Sequence, residues 1–185
     1  MQKSRTQIYD ELLLIKCQQG DRAAFDELVG RWQERLLNYA FKVTGSEPAA
    51  WDIVQETWYA IIKGIRRLND VSVFPGWAFR IVNNKCTDWL RNGRLQLRLH
   101  EQLEMRAQNQ PENKQKNSAG KTESLRTAVE KLPPDRRALL ELRYHEGFDV
   151  AQIAEITGVP EGTVKSRLHR TLSQLRLIVG CDQNE

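Results

Sequence analysis

Between Gly162 and Val179 the chain reads GTVKSRLHRTLSQLRLIV, a stretch with no acid that supplies Lys165, Arg167, Arg170 and Arg176, with His169 among them. The chain as a whole is nearly balanced, with 28 Lys+Arg against 24 Asp+Glu and a net charge of +4. On a helical wheel Val164, Leu168, Leu172, Leu175 and Val179 share one side. Ser166, His169, Arg170 and Ser173 lie opposite, Lys165 and Arg176 flank one edge, and Arg167 flanks the other. A donor-rich face without carboxylates suits the major groove of DNA, where Arg and Ser reach base edges or phosphates and acids would be repelled. A solvated basic face has the same composition, so the neighbouring residues must decide.

Two further clusters stand in the N-terminal half. In AWDIVQETWYAIIKGI, Trp51, Val54, Trp58, Ile61, Ile62 and Ile65 fall on one side of a helix. Asp52, Gln55, Glu56, Tyr59 and Lys63 occupy an arc of about 100° on the other. An ordinary amphipathic helix needs no compact acid–amide–acid group beside an aromatic; such a patch suits a basic helical partner. In FPGWAFRIVNNKCTDWLRNGRL, the inward set is Ala78, Phe79, Val82, Cys86, Trp89 and Leu90. Trp77, Arg80, Asn84, Asp88 and Arg91 line the outer face. Aromatic, guanidinium and amide groups on one face can stack on and hydrogen-bond an unstacked base; Trp77 also suits the role of a half-buried anchor for the preceding loop.

No residues assemble a catalytic site. Cys17, Cys86 and Cys181 are far apart and form no CxxC, and His100, His145 and His169 form no HxxxH or HExxH. Disulfide, zinc, nucleophile-elbow and phosphate-loop chemistry therefore lack their motifs, and the chain is expected to have no enzymatic activity, no metal and no cofactor. Two thiols are expected in the core, with Cys181 near a tail. No apolar run approaches the roughly 20 residues that cross a bilayer, and the N-terminus lacks a secretory signal pattern, so a cytoplasmic location without membrane insertion is expected.

The elements that position these clusters are helical throughout, with no convincing period-two strand. Gly20-Asp21 reads as a helix stop followed by an N-cap, and GSEP and NDVSVFPG break the chain again. The segment EMRAQNQPENKQKNSAGKTES is polar and reads as a flexible linker, although LQLRLHEQLEMR before it can extend a helix. The organisation is all-α: a domain over 1–95, a linker over 96–123, a smaller domain over 124–180 and a tail over 181–185. In the second, DVAQIAEITGVPEGTVKSRL has the layout of a helix-turn-helix. Asp149 is the N-cap, Ile153 and Ala154 face inward, and Gly158 supplies the positive φ of the turn. Val159 plugs the turn, Pro160 suits the next helix's first turn, and Val164 and Leu168 meet the first helix. Helix-turn-helix alone leaves several classes of DNA-binding protein open.

Three blocks, DIVQETW, GWAFRIVNNKCTDWLR and LPPDRRALLELRYHEGFDVAQIAEITGVPEGTVKSRLHR, occur in this order. Together they resemble the extracytoplasmic-function (ECF) sigma factors of bacterial RNA polymerase, group 4 of the sigma-70 family. The resemblance implies a region 2 domain for the −10 promoter element and a region 4 domain for the −35 element. It implies a dissociable subunit that binds core RNA polymerase, at the β′ clamp helices and the β subunit, and directs promoter recognition, strand opening and initiation. Asp52, Gln55, Glu56 and Tyr59 match the polymerase-docking positions. Asn84 matches a position near a pocket for a flipped −10 base and NDVSVFPG matches the specificity loop, so the outer face of Trp77, Arg80, Asn84, Asp88 and Arg91 is expected to bind the −10 DNA. Arg143, Lys165, Ser166, Arg167, His169 and Arg170 match positions at the −35 DNA. His169 stands where many members carry an aromatic or another basic residue, so a −35 base preference does not transfer. The chain ends soon after the recognition helix, and control by a separate anti-sigma factor is expected. The competing readings are a stand-alone helix-turn-helix regulator, which needs neither the acidic patch nor the Asn84 face, and a nucleic-acid enzyme.

Overall fold

The computed structural model describes residues 5–104 and 121–180. These form eight α-helices: α1 (Arg5–Gln18), α2 (Arg22–Thr44), α3 (Glu47–Gly64), α4 (Phe74–Glu104), α5 (Lys121–Glu130), α6 (Pro134–Leu140), α7 (Val150–Thr157) and α8 (Glu161–Gly180). Short 3-10 turns cover Ile65–Arg67 and Val71–Val73, and a π-helical turn covers Glu141–His145. No strand occurs among the described residues.

The helix boundaries follow local chemistry. Gly20 adopts φ 90° after α1, and the Asp21 carboxylate accepts from the Ala24 amide at 3.1 Å to open α2. Gly45 at φ 73° ends α2, and Ser46 accepts from Ala49 N at 3.4 Å to open α3, which carries a proline in its first turn. Asp149 and Gln152 form a reciprocal capping box on α7, at 2.8 and 3.0 Å. Each arrangement satisfies amides that the first helical turn leaves without partners. Gly158 takes φ 68° in the turn between α7 and α8. Pro160 stands one residue before α8, where its carbonyl accepts from Thr163 N and Val164 N.

The N-terminal unit centres on aromatic rings. Trp32, Tyr39, Phe74 and Phe79 are fully buried, and Trp32–Phe74 and Tyr39–Phe79 meet edge-to-face with centroids 5.0 and 5.4 Å apart. In the C-terminal unit Leu142, Ile153, Ile156, Val164 and Leu168 are buried, the last two as the turn layout requires, and Ala154 is half-buried.

Three expected core residues are not in the core. Trp51 is 41% exposed and Ile62 53%. The buried face of α3 is rotated toward Ala49, Ala50, Ile53 and Thr57, which are buried together with Val54, Trp58 and Ile61. Trp51 and Ile62 are left at the rim of the acidic arc. Trp89 is 40% exposed, because after Cys86 no α4 residue up to Gly93 is buried. Helix α4 runs to Glu104, as the pattern of LQLRLHEQLEMR allows, while residues 105–120, within the linker expected over 96–123, and the tail with Cys181 lie outside the described residues.

The two units share one hydrophobic cluster. Phe79 of α4 meets Phe148, which precedes α7, edge-to-face at 5.3 Å. Asn83 Nδ2 lies 3.5 Å from the Ile156 carbonyl, and Arg137 donates to the Val43 carbonyl at 3.0 Å. Arg35 of α2 pairs with Glu146, whose side chain is 2% exposed. Burial pushes the Cys86 thiol up to about 12 and raises that of Cys17. Thiolates are the reactive form, so both cysteines should resist iodoacetamide at pH 8 in the native chain and react in denaturant, as read by peptide mass spectrometry.

Candidate nucleic-acid and protein interfaces

On α3, Asp52, Gln55, Glu56 and Tyr59 are all exposed on one side, flanked by Trp51 and Ile62. Lys63 Nζ lies 4.1 Å from the Tyr59 ring centroid, a cation–π contact. Glu56 is paired with Lys85 of α4 at 2.6 Å, but its side chain is still 62% exposed. Exposed pairs of this kind contribute only about 0–1 kcal/mol, so a basic partner can displace Lys85. The result is an acidic patch bordered by large apolar groups, an edge that sequence reasoning had assigned to the core.

On α4, Arg80, Asn84, Asp88 and Arg91 are exposed along one side. Asp88 and Arg91 approach to 3.9 Å. The adjacent asparagine behaves differently: Asn83 is 7% exposed, and its Oδ1 accepts from Tyr39 Oη at 2.8 Å. Trp77 is half-buried, and its indole lies over Gly64 so closely that an added Cβ would stand 2.7 Å from Cζ2. The ring is 6.1 Å from that of Phe74. Trp77 thus anchors the loop that enters α4 and presents only part of its ring to solvent. Asp70 accepts from Ser72 N at 2.8 Å, giving that loop its first turn.

On α8, Lys165, Ser166, His169 and Arg170 are exposed, and Val164, Leu168, Thr171 and Leu175 are buried on the opposite side. Lys165 lies 3.6 Å from Glu161, and Ser166 Oγ donates to the Thr163 carbonyl at 3.1 Å. Arg167 is half-buried and pairs with Asp135 of α6 at 3.2 Å. Arg143 donates to the Phe148 carbonyl at 3.0 Å, so part of its donor capacity holds the approach to α7. Arg136, which the sequence reading passed over, donates to Gln174 at 2.6 Å and ties α6 to α8. Arg91 and Arg167, one from each candidate DNA face, line the same cleft of about 820 Å³. Among the described residues no cluster of His, Cys, Asp and Glu is placed to hold a metal, and no helix is long and apolar enough to cross a membrane.

Comparison with known proteins assigns the chain to a family. Residues 28–95 match the model for sigma-70 region 2, and residues 122–175 match sigma-70 region 4. The ECF RNA polymerase sigma-E factor of Haemophilus influenzae is 31% identical over 175 residues, covering 89% of this chain and 92% of that protein. The chain belongs to the ECF RNA polymerase sigma factors. The ECF sigma factor SigE of Mycolicibacterium smegmatis is 32% identical over 163 residues, covering 85% of this chain and 63% of that longer protein. Among solved structures, CnrH in complex with the cytosolic domain of CnrY aligns with a TM-score of 0.64 at 23% identity, covering 95% of this chain and 99% of that one. That likeness shows a common fold. This sigma factor is accordingly an initiation factor rather than an enzyme.

The Trp77–Gly64 contact is a test of how the loop before α4 is held. Gly64→Ala overfills this contact and should lower stability by about 1–3 kcal/mol. Gly30→Ala, in the middle of α2 with nothing within 4 Å, should be neutral or stabilising by up to about 1 kcal/mol. Thermal unfolding of the two variants checks both.

Proposed function

We propose that this sigma factor binds core RNA polymerase through Asp52, Gln55, Glu56 and Tyr59, and brings it to promoters through α4 and α8. The α4 face of Arg80, Asn84, Asp88 and Arg91, with the edge of Trp77, takes the −10 strand. Lys165, Ser166, Arg167, His169 and Arg170, with Arg143 nearby, take the −35 duplex. The domains act as region 2 over 1–95 and region 4 over 124–180, in the cytoplasm where the polymerase works. An anti-sigma factor controls availability; the sigma factor RpoE from Bartonella quintana, of similar fold, is seen in complex with the anti-sigma factor NepR.

The observation that carries this reading is the sorting of surfaces. One acidic face on α3, one amide- and arginine-bearing face on α4 and one acid-poor face on α8 are all exposed, while the core residues of the same helices, among them Ile53, Ile61, Phe79, Val82, Val164 and Leu168, are buried. A stand-alone regulator accounts for α8 only. Adding the chain to core polymerase and a promoter template should yield transcripts that neither component makes alone; the absence of a stable complex would overturn the reading.

The docking patch has a direct test. Asp52→Lys with Glu56→Lys should abolish polymerase binding in a pull-down while shifting stability by no more than about 0.5 kcal/mol, because both positions are exposed.

Asn84 has a separate one. Its amide can pair with a Watson–Crick edge only once a base leaves the stack. Asn84→Ala should spare polymerase docking and impair opening of duplex promoters by about 1–3 kcal/mol, with partial recovery on a template already melted at −10. Permanganate footprinting reads both.

A further inference from the structure

A surface of one charge adjoins the exposed face of α4. Helix α3 ends at Gly64, and the 3-10 turn that follows carries Arg66 and Arg67, both exposed. Side chains three apart eclipse in such a turn, so Arg67 falls on the side of Gly64, the residue that the Trp77 indole covers. Arg66 reaches the other way: a Cβ added at Gly20 would lie 3.4 Å from its Nη2. Gly20 belongs to the turn between α1 and α2, and exposed Lys16 and Arg22 stand on its two sides. From Arg80 through Trp77 and Arg67 to Arg66, Lys16 and Arg22, cations and one aromatic ring thus form a path across elements that are distant in sequence. Lys63, the residue before Gly64, is turned instead to the Tyr59 ring.

This path is uncompensated. Among the described residues no ion pair holds Lys16, Arg22, Arg66 or Arg67. The carboxylates of this end are engaged with backbone: Asp21 accepts from Ala24 N at 3.1 Å, and Asp70 from Ser72 N at 2.8 Å. Asp26, one turn along α2 from Arg22, bounds the path. Like charges left together repel one another, and a bound polyanion relieves that repulsion. Cations that continue from an aromatic ring suit a single strand of nucleic acid, whose bases stack while its phosphates are tracked.

The direction follows from the chain. Helix α4 leads from Trp77 to Arg91, about 20 Å away, and on toward the linker and the unit assigned to the −35 element. Trp77 is at the opposite end, so a strand leaving α4 there runs toward the start site. We propose that Arg66 and Arg67, with Lys16 and Arg22 beyond them, are a track for the phosphates of the opened non-template strand on the start-site side of the −10 element. The placement rests on the assignment of α4 to the −10 strand given above; the cationic path itself does not.

The test uses the full chain assembled with core polymerase on a promoter already melted from the −10 element to the start site, so that strand opening does not contribute. The forms are wild type, Arg66→Gln with Arg67→Gln, and Arg66→Lys with Arg67→Lys. Each template is made twice, with ordinary phosphates and with uncharged methylphosphonate linkages in the non-template strand just past the −10 element. The dissociation constant is read against salt. The Gln pair should weaken the complex about tenfold and lower the salt slope by about 1.4, roughly 0.7 for each cation lost, with polymerase affinity and helical circular dichroism unchanged. The Lys pair keeps both charges and should stay within about twofold of wild type, which a structural role of the guanidinium groups would not allow. On the neutralised strand wild type should fall to the level of the Gln pair, and the Gln pair should lose nothing further.

Equal affinity and slope for wild type and the Gln pair would make this a solvated face and overturn the proposal. A deficit that persists undiminished on the neutralised strand overturns it as well, since the arginines then act elsewhere. Should the Gln pair lose helicity, wild type on the neutralised strand decides, and no loss there rejects the track. Asn84→Ala on the duplex promoter reports separately on the −10 reading. A deficit there with none at Arg66 and Arg67 rejects the track alone; the reverse rejects the assignment of α4 and leaves the phosphate contact standing. A wild type that forms no complex with polymerase rejects both.

Discussion

The buried amide of Asn83 fixes how α4 is turned, and most of the functional surface depends on that setting. A buried amide without partners costs free energy. Here Tyr39 Oη donates to Oδ1 at 2.8 Å, and Tyr39 is itself fully buried, with desolvation raising its phenol well above the usual range so that it stays a donor. With Asn83 held inward beside Phe79 and Val82, a helix of 3.6 residues per turn must carry Arg80, Asn84, Asp88 and Arg91 outward. The exposed face of α4 is therefore a consequence of core packing one residue away.

The same logic sorts strong from exchangeable interactions. The pairs on the functional faces, Glu56–Lys85, Lys165–Glu161 and Asp88–Arg91, are largely exposed. They stabilise little, so partners can replace them at small cost. The ion pair between the units is different: Glu146 is almost wholly removed from solvent. Breaking such a pair from one side leaves an unpaired buried charge, which is costly.

Much of this was legible in the sequence. Capping at Asp21 and Asp149, the positive φ of Gly158 and the inward row of Val164, Leu168 and Leu175 depend on residues within a few positions of one another, and spacing reveals them. The rotation of α3 was not legible. The expected face included Trp51 and Ile62 with Val54, Trp58 and Ile61, whereas the real one keeps the last three and adds Ala49, Ala50, Ile53 and Thr57, residues too small or too polar for apolar spacing to mark out, or, like Ile53, beside the expected row. Nor does the pair Asn83-Asn84 announce which amide is buried; that depends on Tyr39, 44 positions away. The contact of Arg35 with Glu146 spans 111 positions, and no local pattern encodes it. The outward clusters of α3 and α4 were legible as exposed faces because they combine charge and amide groups at helical spacing, a signal that survives the error in the inward face.

The most direct measurement of this account is site-specific photocrosslinking along α4. A short photoreactive side chain is placed at position 84, and separately at position 83, in the complete complex with core polymerase and a promoter radiolabelled in the −10 segment. Position 84 should crosslink to the non-template strand of that segment, and position 83, where the protein folds at all, only within the protein. DNA crosslinks from 83 but not from 84, or none from either in a complex that initiates transcription, would contradict the assignment of the outer face of α4 to the −10 strand.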